Sequence, residues 1–557
     1  MRARINLILI LLIIFGAAII SRLFYLQIIQ YKFYQAQALG QQTVFEEVQG
    51  ARGEIFFKDN QKSLAVDSDK WLIYANPKEI KDKTSTSSAI SKIIGDPAAQ
   101  IQSKLNKEDS SYSVIKDNLS DDTAEKIKSL DLSGIGLQDK PARYYPQGSL
   151  ASQVVGFMGG DGAGQYGLEG YYEDTLKGKQ SFTDTPKTFA LFDSQGLEPE
   201  NLAGSDLYLT IDYNIQFEAE SLLKEAKDKF EIDSGQIIVM DPNNGKIAAM
   251  ANYPDFDPNE YSKEKDISVF QNSAVQKLFE CGSVFKPFTM AMGLNEGKIT
   301  PDTTYIDKGY VKFGSQTIMN FDKTKKYGRQ TMTQVLEKSL NTGAIFVEQK
   351  IPHDTFLDYF DEFGFGERTG IDLQGEVSSQ NNNLRNGRDV NFATASFGQG
   401  VALTPIQLIR GFAALANGGR LVKPYVVGKI VDPQKNETVP QPKIGNPILS
   451  QQTLSQLTTM LISTVSDGVA KLAGVKGYYV AGKTGTAQVA YEDKAGYYPD
   501  KTIHSFIGFA PALNPKFIIL IKLDNPKGSS SGETAAPIFS KLAQYILNYW
   551  QIPPDHN

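Results

Sequence analysis

The chain has 557 residues, long enough for a membrane segment and about two to four domains. With 57 basic against 63 acidic residues, a net charge of −6 and no long basic run, it lacks the electrostatic footprint of a nucleic-acid binder. A single cysteine, Cys281, rules out an internal disulfide or a multi-cysteine zinc site, and three scattered histidines (His353, His504, His556) do not suggest a metal centre.

Residues 7–20 are apolar without a break, behind Met1-Arg2-Ala3-Arg4-Ile5-Asn6. That run is shorter than the ~20 residues a bilayer-spanning helix needs. Apolar character resumes at Leu23-Phe24-Tyr25-Leu26, with Arg22 able to snorkel and Tyr25 suited to the interface. The expectation is an uncleaved span over about 5–26, within an anchor segment 1–35, in the cytoplasmic membrane. The rival is a cleaved signal peptide, but the small residues Gly16-Ala17-Ala18 sit inside the apolar run. A short cytoplasmic tail with the large remainder outside is the simpler single-pass topology. From 36 to 203 the sequence is polar, mixed and without a dominant period. Residues 82–88 read as a loop, and 123–130 as a short helix. The glycine-rich stretch 159–169 lacks a Gly-Lys-Ser/Thr ending, so it reads as a structural turn rather than a phosphate cradle.

A change comes near Ser205, dividing the chain into 36–203 and 204–557. Asp206-Leu207-Tyr208-Leu209-Thr210-Ile211 reads as a strand, and Asp212 can cap the helix that follows toward Phe230. Two apolar runs flank Asp241-Pro242-Asn243-Asn244-Gly245 as a hairpin. Helices are expected to dominate up to Asn417-Gly418-Gly419. Residues 478–486, 503–509 and 517–523 read as strands, and Gly528-Ser529-Ser530-Ser531-Gly532 as a flexible loop before a final helix over 534–550. Antiparallel strands with helices inserted between the early and late ones give an α+β domain.

Three motifs carry chemistry. In Cys281-Gly282-Ser283-Val284-Phe285-Lys286-Pro287, a helix starting near Gly282 would bring the Lys286 amine to the Ser283 hydroxyl, with Pro287 harmless in the first turn. Alone this is weak, because Ser-x-x-Lys also occurs at Ser113–Lys116, Ser221–Lys224 and Ser262–Lys265, read as solvated polar faces. Downstream come Ser339-Leu340-Asn341, in a helix-to-loop context, and Lys483-Thr484-Gly485-Thr486, at the end of an apolar run. Ser-x-x-Lys opening a helix, then Ser-x-Asn, then Lys-Thr-Gly on a strand is the ordered signature of penicillin-recognising serine enzymes.

With these motifs the chain resembles the class B penicillin-binding proteins, monofunctional peptidoglycan D,D-transpeptidases. The resemblance extends over Arg22-Leu23-Phe24-Tyr25-Leu26-Gln27, Arg52-Gly53-Glu54-Ile55, Arg143-Tyr144-Tyr145-Pro146, Gly167-Leu168-Glu169-Gly170, Leu209-Thr210-Ile211-Asp212 and Phe506-Ile507-Gly508-Phe509-Ala510-Pro511. Phe397-Gly398-Gln399-Gly400-Val401-Ala402-Leu403-Thr404-Pro405 and Ala416-Asn417-Gly418-Gly419 are more similar to the division branch than to the elongation branch. Two departures stand out: Cys281 where the family usually has proline, and Phe56-Phe57-Lys58-Asp59 after Arg52-Gly53-Glu54-Ile55. The thiol has no nearby histidine in sequence and reads as packing.

The resemblance implies a membrane anchor, a mostly β non-catalytic pedestal or dimerisation domain over 36–203, and a transpeptidase domain over 204–557 with an antiparallel sheet, flanking helices and a helical subdomain. It implies Ser283 as nucleophile, Lys286 as its base, Ser339 as proton relay and Asn341 as a holder of the substrate amide and Lys286. Lys483, Thr484, Gly485 and Thr486 would receive the terminal carboxylate, with backbone N–H groups of Ser283 and Thr486 as the oxyanion hole. Expected partners are peptidoglycan stem peptides and lipid-linked precursors, β-lactams, the membrane, and a polytopic glycan-polymerising membrane protein with other division proteins. No metal or organic cofactor is implied. The competing functions are a related D,D-carboxypeptidase or β-lactamase, and a β-lactam sensor or division scaffold.

Overall fold

The computed structural model describes residues 15–16, 19–20, 23–24, 43–58, 62–68, 70–106, 112–139, 142–186, 202–491 and 496–556. Most of the expected anchor therefore lies outside the described residues, among which no helix is long and apolar enough to cross a membrane.

The chain falls into two compact units. The first, Met1–Arg52 with Lys177–Gly204, contains an antiparallel ribbon of Thr43–Gln49 against Gln180–Pro186, in register from Thr43↔Pro186 to Gln49↔Gln180. The second joins Gly53–Leu176 to Ser205–Asn557.

Within the second unit, a three-stranded sheet with Trp71–Ala75 at its centre is covered by helices Lys83–Ile94, Ala98–Leu105 and Asp121–Lys128. Ile73, Ile90, Ile101, Leu105, Ile115 and Ile127 form its core. The polar run at 82–88 is thus a helix start, not a loop. The Asp82 carboxylate accepts from Thr84 N and Ser85 N, and Gly95 closes the helix at φ +76°. Low helix propensity of Ser and Thr hid it, and burial of Thr86 and Ser87 overrides that propensity. Helix content here exceeds the mostly β expectation. Ser113, one of the decoy serines, is buried in a strand rather than lying on a solvated face.

A six-stranded sheet pairs short strands of early sequence, Ile55–Phe56 and Ser63–Ser68, with Asp206–Leu209 and Val427–Val431. In its edge strand, Ala142–Tyr144, the buried Arg143 side chain donates to Glu169 Oε1 at 2.7 Å and to Asp67 Oδ1 at 3.1 Å. Tyr145 OH lies 3.3 Å from the same Glu169 oxygen and accepts from Met158 N at 2.8 Å. This network is why arginine, tyrosine and glutamate stand at these separated motif positions: each satisfies a polar group that burial would otherwise penalise. The stretch 159–169 is a small hairpin turn leading into the helix Gly167–Tyr171, as expected.

The main sheet lies behind the candidate site. Asp212 caps helix α1 (Tyr213–Phe230), accepting from Asn214 N and Ile215 N. Strands β1 (Ser234–Met240) and β2 (Ile247–Tyr253) form the expected hairpin. Helices α2 (Lys286–Asn295), α3 (Asn341–Glu348), α4 (Pro405–Ala416) and α5 (Gln451–Ser466) follow, then β3 (Ala481–Ala490), β4 (Tyr497–Ala510), β5 (Phe517–Asp524) and α6 (Ala535–Tyr549). The antiparallel order is β2-β1-β5-β4-β3, which leaves β3 at an edge. Successive side chains alternate faces. Ile237, Val239, Ile519 and Ile521 pack in the cluster with α1 and α6, whereas Ile238, Met240, Ile518 and Leu520 join the cluster containing α4. With both faces covered, these strands read as continuous apolar runs.

The region between β2 and α4 is not purely helical. Three short antiparallel pairs interrupt it: Phe279–Glu280 with Ala402–Leu403, Thr304–Asp307 with Gly328–Thr331, and Tyr310–Phe313 with Gln316–Met319. Gly314 turns the last of these at φ +58°, a conformation glycine adopts without steric cost.

Candidate active site

The backbone at Ser283 is a 3-10 turn, Gly282–Phe285, that runs directly into α2. At three residues per turn, positions three apart eclipse. Lys286 Nζ consequently lies 3.0 Å from Ser283 Oγ. The turn is wedged between two neighbours. Gly282, at φ +60°, donates its N–H to Gly398 O at 3.0 Å, and a Cβ on Gly398 would sit 2.2 Å from Gly282 O. On the other side, a Cβ on Gly485 would sit 2.9 Å from Val284 and 2.4 Å from Ser505 Oγ. Glycine in Phe397-Gly398-Gln399-Gly400 and in Lys483-Thr484-Gly485 is thus a requirement of close approach. Beneath the turn, Phe285 and Phe288 pack against Phe365, with ring centroids 5.4 and 4.9 Å away, anchoring α2 in the core.

Ser339 joins the pair from a tight connection before α3. It holds φ +56°, rare for serine, with its N–H on Leu336 O at 3.2 Å. Lys286 Nζ also donates to Ser339 O and lies 3.2 Å from Ser339 Oγ. Lys483 Nζ, from β3, reaches Ser339 Oγ at 2.9 Å and Thr484 O at 3.0 Å. Ser339 Oγ therefore sits between two lysines, both with 0% exposure. Burial, then the nearby Lys483 charge, drives the Lys286 pKa well below its ordinary value, and burial lowers Lys483 to about 7. Lys286, in contact with Ser283 Oγ, is placed to accept its proton, and Lys483, farther along Ser339, is placed to carry charge.

The Lys-Thr-Gly segment lies inside β3, not at the end of a strand over 478–486. Tyr478 forms a turn with Val475, and pairing with β4 continues past Thr486. Gly482 O accepts from Thr464 Oγ1 of α5, outside the sheet. Because N–H and C=O of one strand residue point the same way and alternate along the strand, Thr484 and Thr486 also aim their backbone groups off the sheet edge. Thr486 N–H is thereby available to an oxyanion.

Two further placements differ from the sequence reading. Asn341 opens α3 rather than lying in a loop, and its Nδ2 donates to Met319 O at 2.9 Å. The loop read as flexible brings the buried Ser531 onto Thr486, with hydroxyl oxygens 3.0 Å apart. Its Gly-Ser-Ser-Ser-Gly composition gave no signal of that contact. Among the described residues no group of histidine, cysteine, aspartate and glutamate could hold a metal ion.

Residues 235–544 match the model of the penicillin binding protein transpeptidase domain, and residues 47–188 that of the penicillin-binding protein dimerisation domain. The chain belongs to the penicillin-binding protein transpeptidase family. Stage V sporulation protein D of Bacillus subtilis (strain 168) is 34% identical over 518 residues, 91% of this chain and 79% of that protein. Peptidoglycan D,D-transpeptidase FtsI of Escherichia coli (strain K12) is 28% identical over 554 residues, 97% of this chain and 90% of that one. The crystal structure of penicillin binding protein 3 from Mycobacterium tuberculosis, complexed with aztreonam, superposes with a TM-score of 0.71 at 27% identity, over 91% of this chain and 98% of that one. With both domains present, this is a class B penicillin-binding protein of the division-type branch.

In this penicillin-binding protein Cys281 is buried, and burial, then the Glu280 charge, pushes its thiol pKa up, so it stays protonated and packs. Its φ of −75° suits proline, and Glu280 before it is in a strand, as a residue preceding proline prefers. Cys281→Pro is expected to keep acylation within about twofold and to raise stability by about 0.4–1 kcal/mol through the unfolded chain. A thermal melt showing a loss instead would mean that thiol packing outweighs backbone restriction.

Proposed function

We propose that this chain is a peptidoglycan D,D-transpeptidase of septal wall synthesis and a covalent target of β-lactams. The observation that carries the reading is the 3.0 Å approach of Lys286 Nζ to Ser283 Oγ, beside a second buried lysine that shares Ser339. Ser283 Oγ attacks the carbonyl of the penultimate D-alanine as its proton passes to neutral Lys286. The tetrahedral oxyanion receives the N–H groups of Ser283 and Thr486. The proton then reaches the departing D-alanine nitrogen by way of Ser339. The amine of a second stem peptide attacks the ester, reversing the proton path and forming the crosslink. Lys483, Thr484, Gly485 and Thr486 receive the substrate carboxylate, and Asn341 receives its amide. The division is a non-catalytic domain over 36–203 and a transpeptidase domain over 204–557. A single-pass anchor in the cytoplasmic membrane holds the catalytic domain outside, next to a polytopic glycan-polymerising protein and other division proteins.

The test is crosslinking of polymerised lipid-linked precursor, together with the lifetime of a fluorescent penicillin adduct. The expected results are crosslinks lost in Ser283→Ala and an adduct persisting for many minutes. Rapid adduct turnover would make the protein a β-lactamase, and unchanged crosslinking in Ser283→Ala would sink the enzyme reading.

The lysine shifts set a pH dependence. Neutral Lys286 is required, so acylation rises with pH through its lowered pKa. Cationic Lys483 is required for the carboxylate, so acylation by the free enzyme falls as pH passes about 7. A stopped-flow profile of the second-order acylation constant should show that falling limb. A flat profile from about pH 6 to 9 would remove Lys483 from carboxylate recognition. Lys483 also binds fewer protons folded than unfolded between about 7 and its ordinary 10.5, so its contribution to stability becomes more favourable as pH rises across that window.

A further inference from the structure

Asp307 ends the strand Thr304–Asp307 and lies away from all three motifs in sequence, yet it is 2% exposed and saturated with donors. Its Oδ1 accepts from Gly309 N at 3.0 Å, Asn320 Nδ2 at 3.0 Å and Thr342 Oγ1 at 2.7 Å, and its Oδ2 accepts from Tyr327 N at 2.9 Å. Thr342 spends its single hydroxyl proton on the carboxylate, so Tyr305 OH, 3.0 Å away, is the donor to Thr342 Oγ1. Asn320 completes the arrangement by accepting Thr342 N at 3.1 Å. Burial acts to raise the Asp307 pKa, but the bonds from Tyr327, Thr342, Gly309 and Asn320 outweigh it and hold the carboxyl below its usual range.

The two residues tied together by this carboxylate flank the Asn341 side chain. Thr342 follows Asn341 at the start of α3, where a negative charge also suits the helix N-terminus. Asn320 follows Met319, whose carbonyl accepts from Asn341 Nδ2. We propose that Asp307 is a positioning residue: it clamps Asn320 to Thr342, and so fixes which way the Asn341 amide faces in the substrate cleft. The inference rests on the transpeptidase reading, because it gives Asn341 the substrate amide. An Asn341 whose Nδ2 is committed to Met319 O presents its Oδ1 in a fixed direction, and a side-chain amide free to flip would forfeit that.

The test is the second-order acylation constant of the full chain with two probes. Benzylpenicillin carries an acylamino group, and 6-aminopenicillanic acid lacks the acyl part. Asp307→Asn and Thr342→Val should each slow benzylpenicillin about 10- to 100-fold and 6-aminopenicillanic acid much less, with Thr342→Ser close to the parent. In an Asn341→Ala background, Asp307→Asn should add no more than about twofold, the sign of coupled residues. If Asp307→Asn fails to fold, the Thr342 pair decides the matter alone. Equal slowing of both probes, or an undiminished effect in the Asn341→Ala background, would reduce Asp307 to a structural role and overturn the proposal. A parent chain that benzylpenicillin does not acylate at Ser283 overturns the transpeptidase reading and this inference with it. An acylating parent with additive variants overturns this inference alone.

Discussion

Replacing Lys286 by methionine is expected to slow acylation of Ser283 by about 10²–10⁴-fold, the usual contribution of a positioned general base. Methionine keeps an unbranched apolar stem in the buried position, so the loss reports chemistry rather than a cavity. Lys286, itself fully buried, contacts both Ser283 Oγ and Ser339 Oγ, so it is the amine held in place beside the serine proton. Raising the pH should not restore the parent rate, because free hydroxide lacks the fixed placement of the amine beside Ser283 Oγ. The check is the progress curve of penicillin labelling read by intact mass. Residual acylation within about tenfold of the parent would assign the base to another group.

The second large effect concerns stability. Arg143→Ala should cost about 3–5 kcal/mol, because it removes the guanidinium bonded to the buried Glu169 carboxylate and to Asp67 and opens a cavity in its place. The side chains of Arg143 and Glu169 are 1% and 0% exposed, so water cannot take over. Arg143→Met with Glu169→Leu should recover much of the loss, since desolvation offsets most of the Coulombic gain in such pairs. Denaturant unfolding of the parent, Arg143→Ala and the double variant makes the comparison. A double variant no more stable than Arg143→Ala would mean that Asp67 and Tyr145, not the charge pair, dominate the network.

Much of the site was legible because its chemistry is local. Ser283 and Lys286 are one 3-10 turn apart, so spacing alone brings them together. Asp212 and the turn 241–245 announced themselves by capping and turn chemistry, and the apolar runs of β1 and β5 follow from a sheet covered on both faces. The gathering of Ser339 and Lys483 was legible only through the order of motifs, since nothing local relates residues 144 positions apart. What remained hidden is long-range and polar. Asp307 collects donors from Gly309, Asn320, Tyr327 and Thr342, none of which is a recognisable pattern. Asp82 caps a helix whose Ser and Thr residues favour loops. Ser531 sits in a sequence that composition marks as a linker, yet its hydroxyl is buried on Thr486. In each case a tertiary contact overrides the local preference.

Everything proposed for this site requires Ser283 to be the acylated residue. Peptide mapping of the benzylpenicillin-labelled protein by mass spectrometry tests it most directly. One adduct is expected, on the peptide containing Ser283, absent from Ser283→Ala and present at reduced rate in Lys286→Met. An adduct on any other residue, or labelling that survives Ser283→Ala, would contradict it.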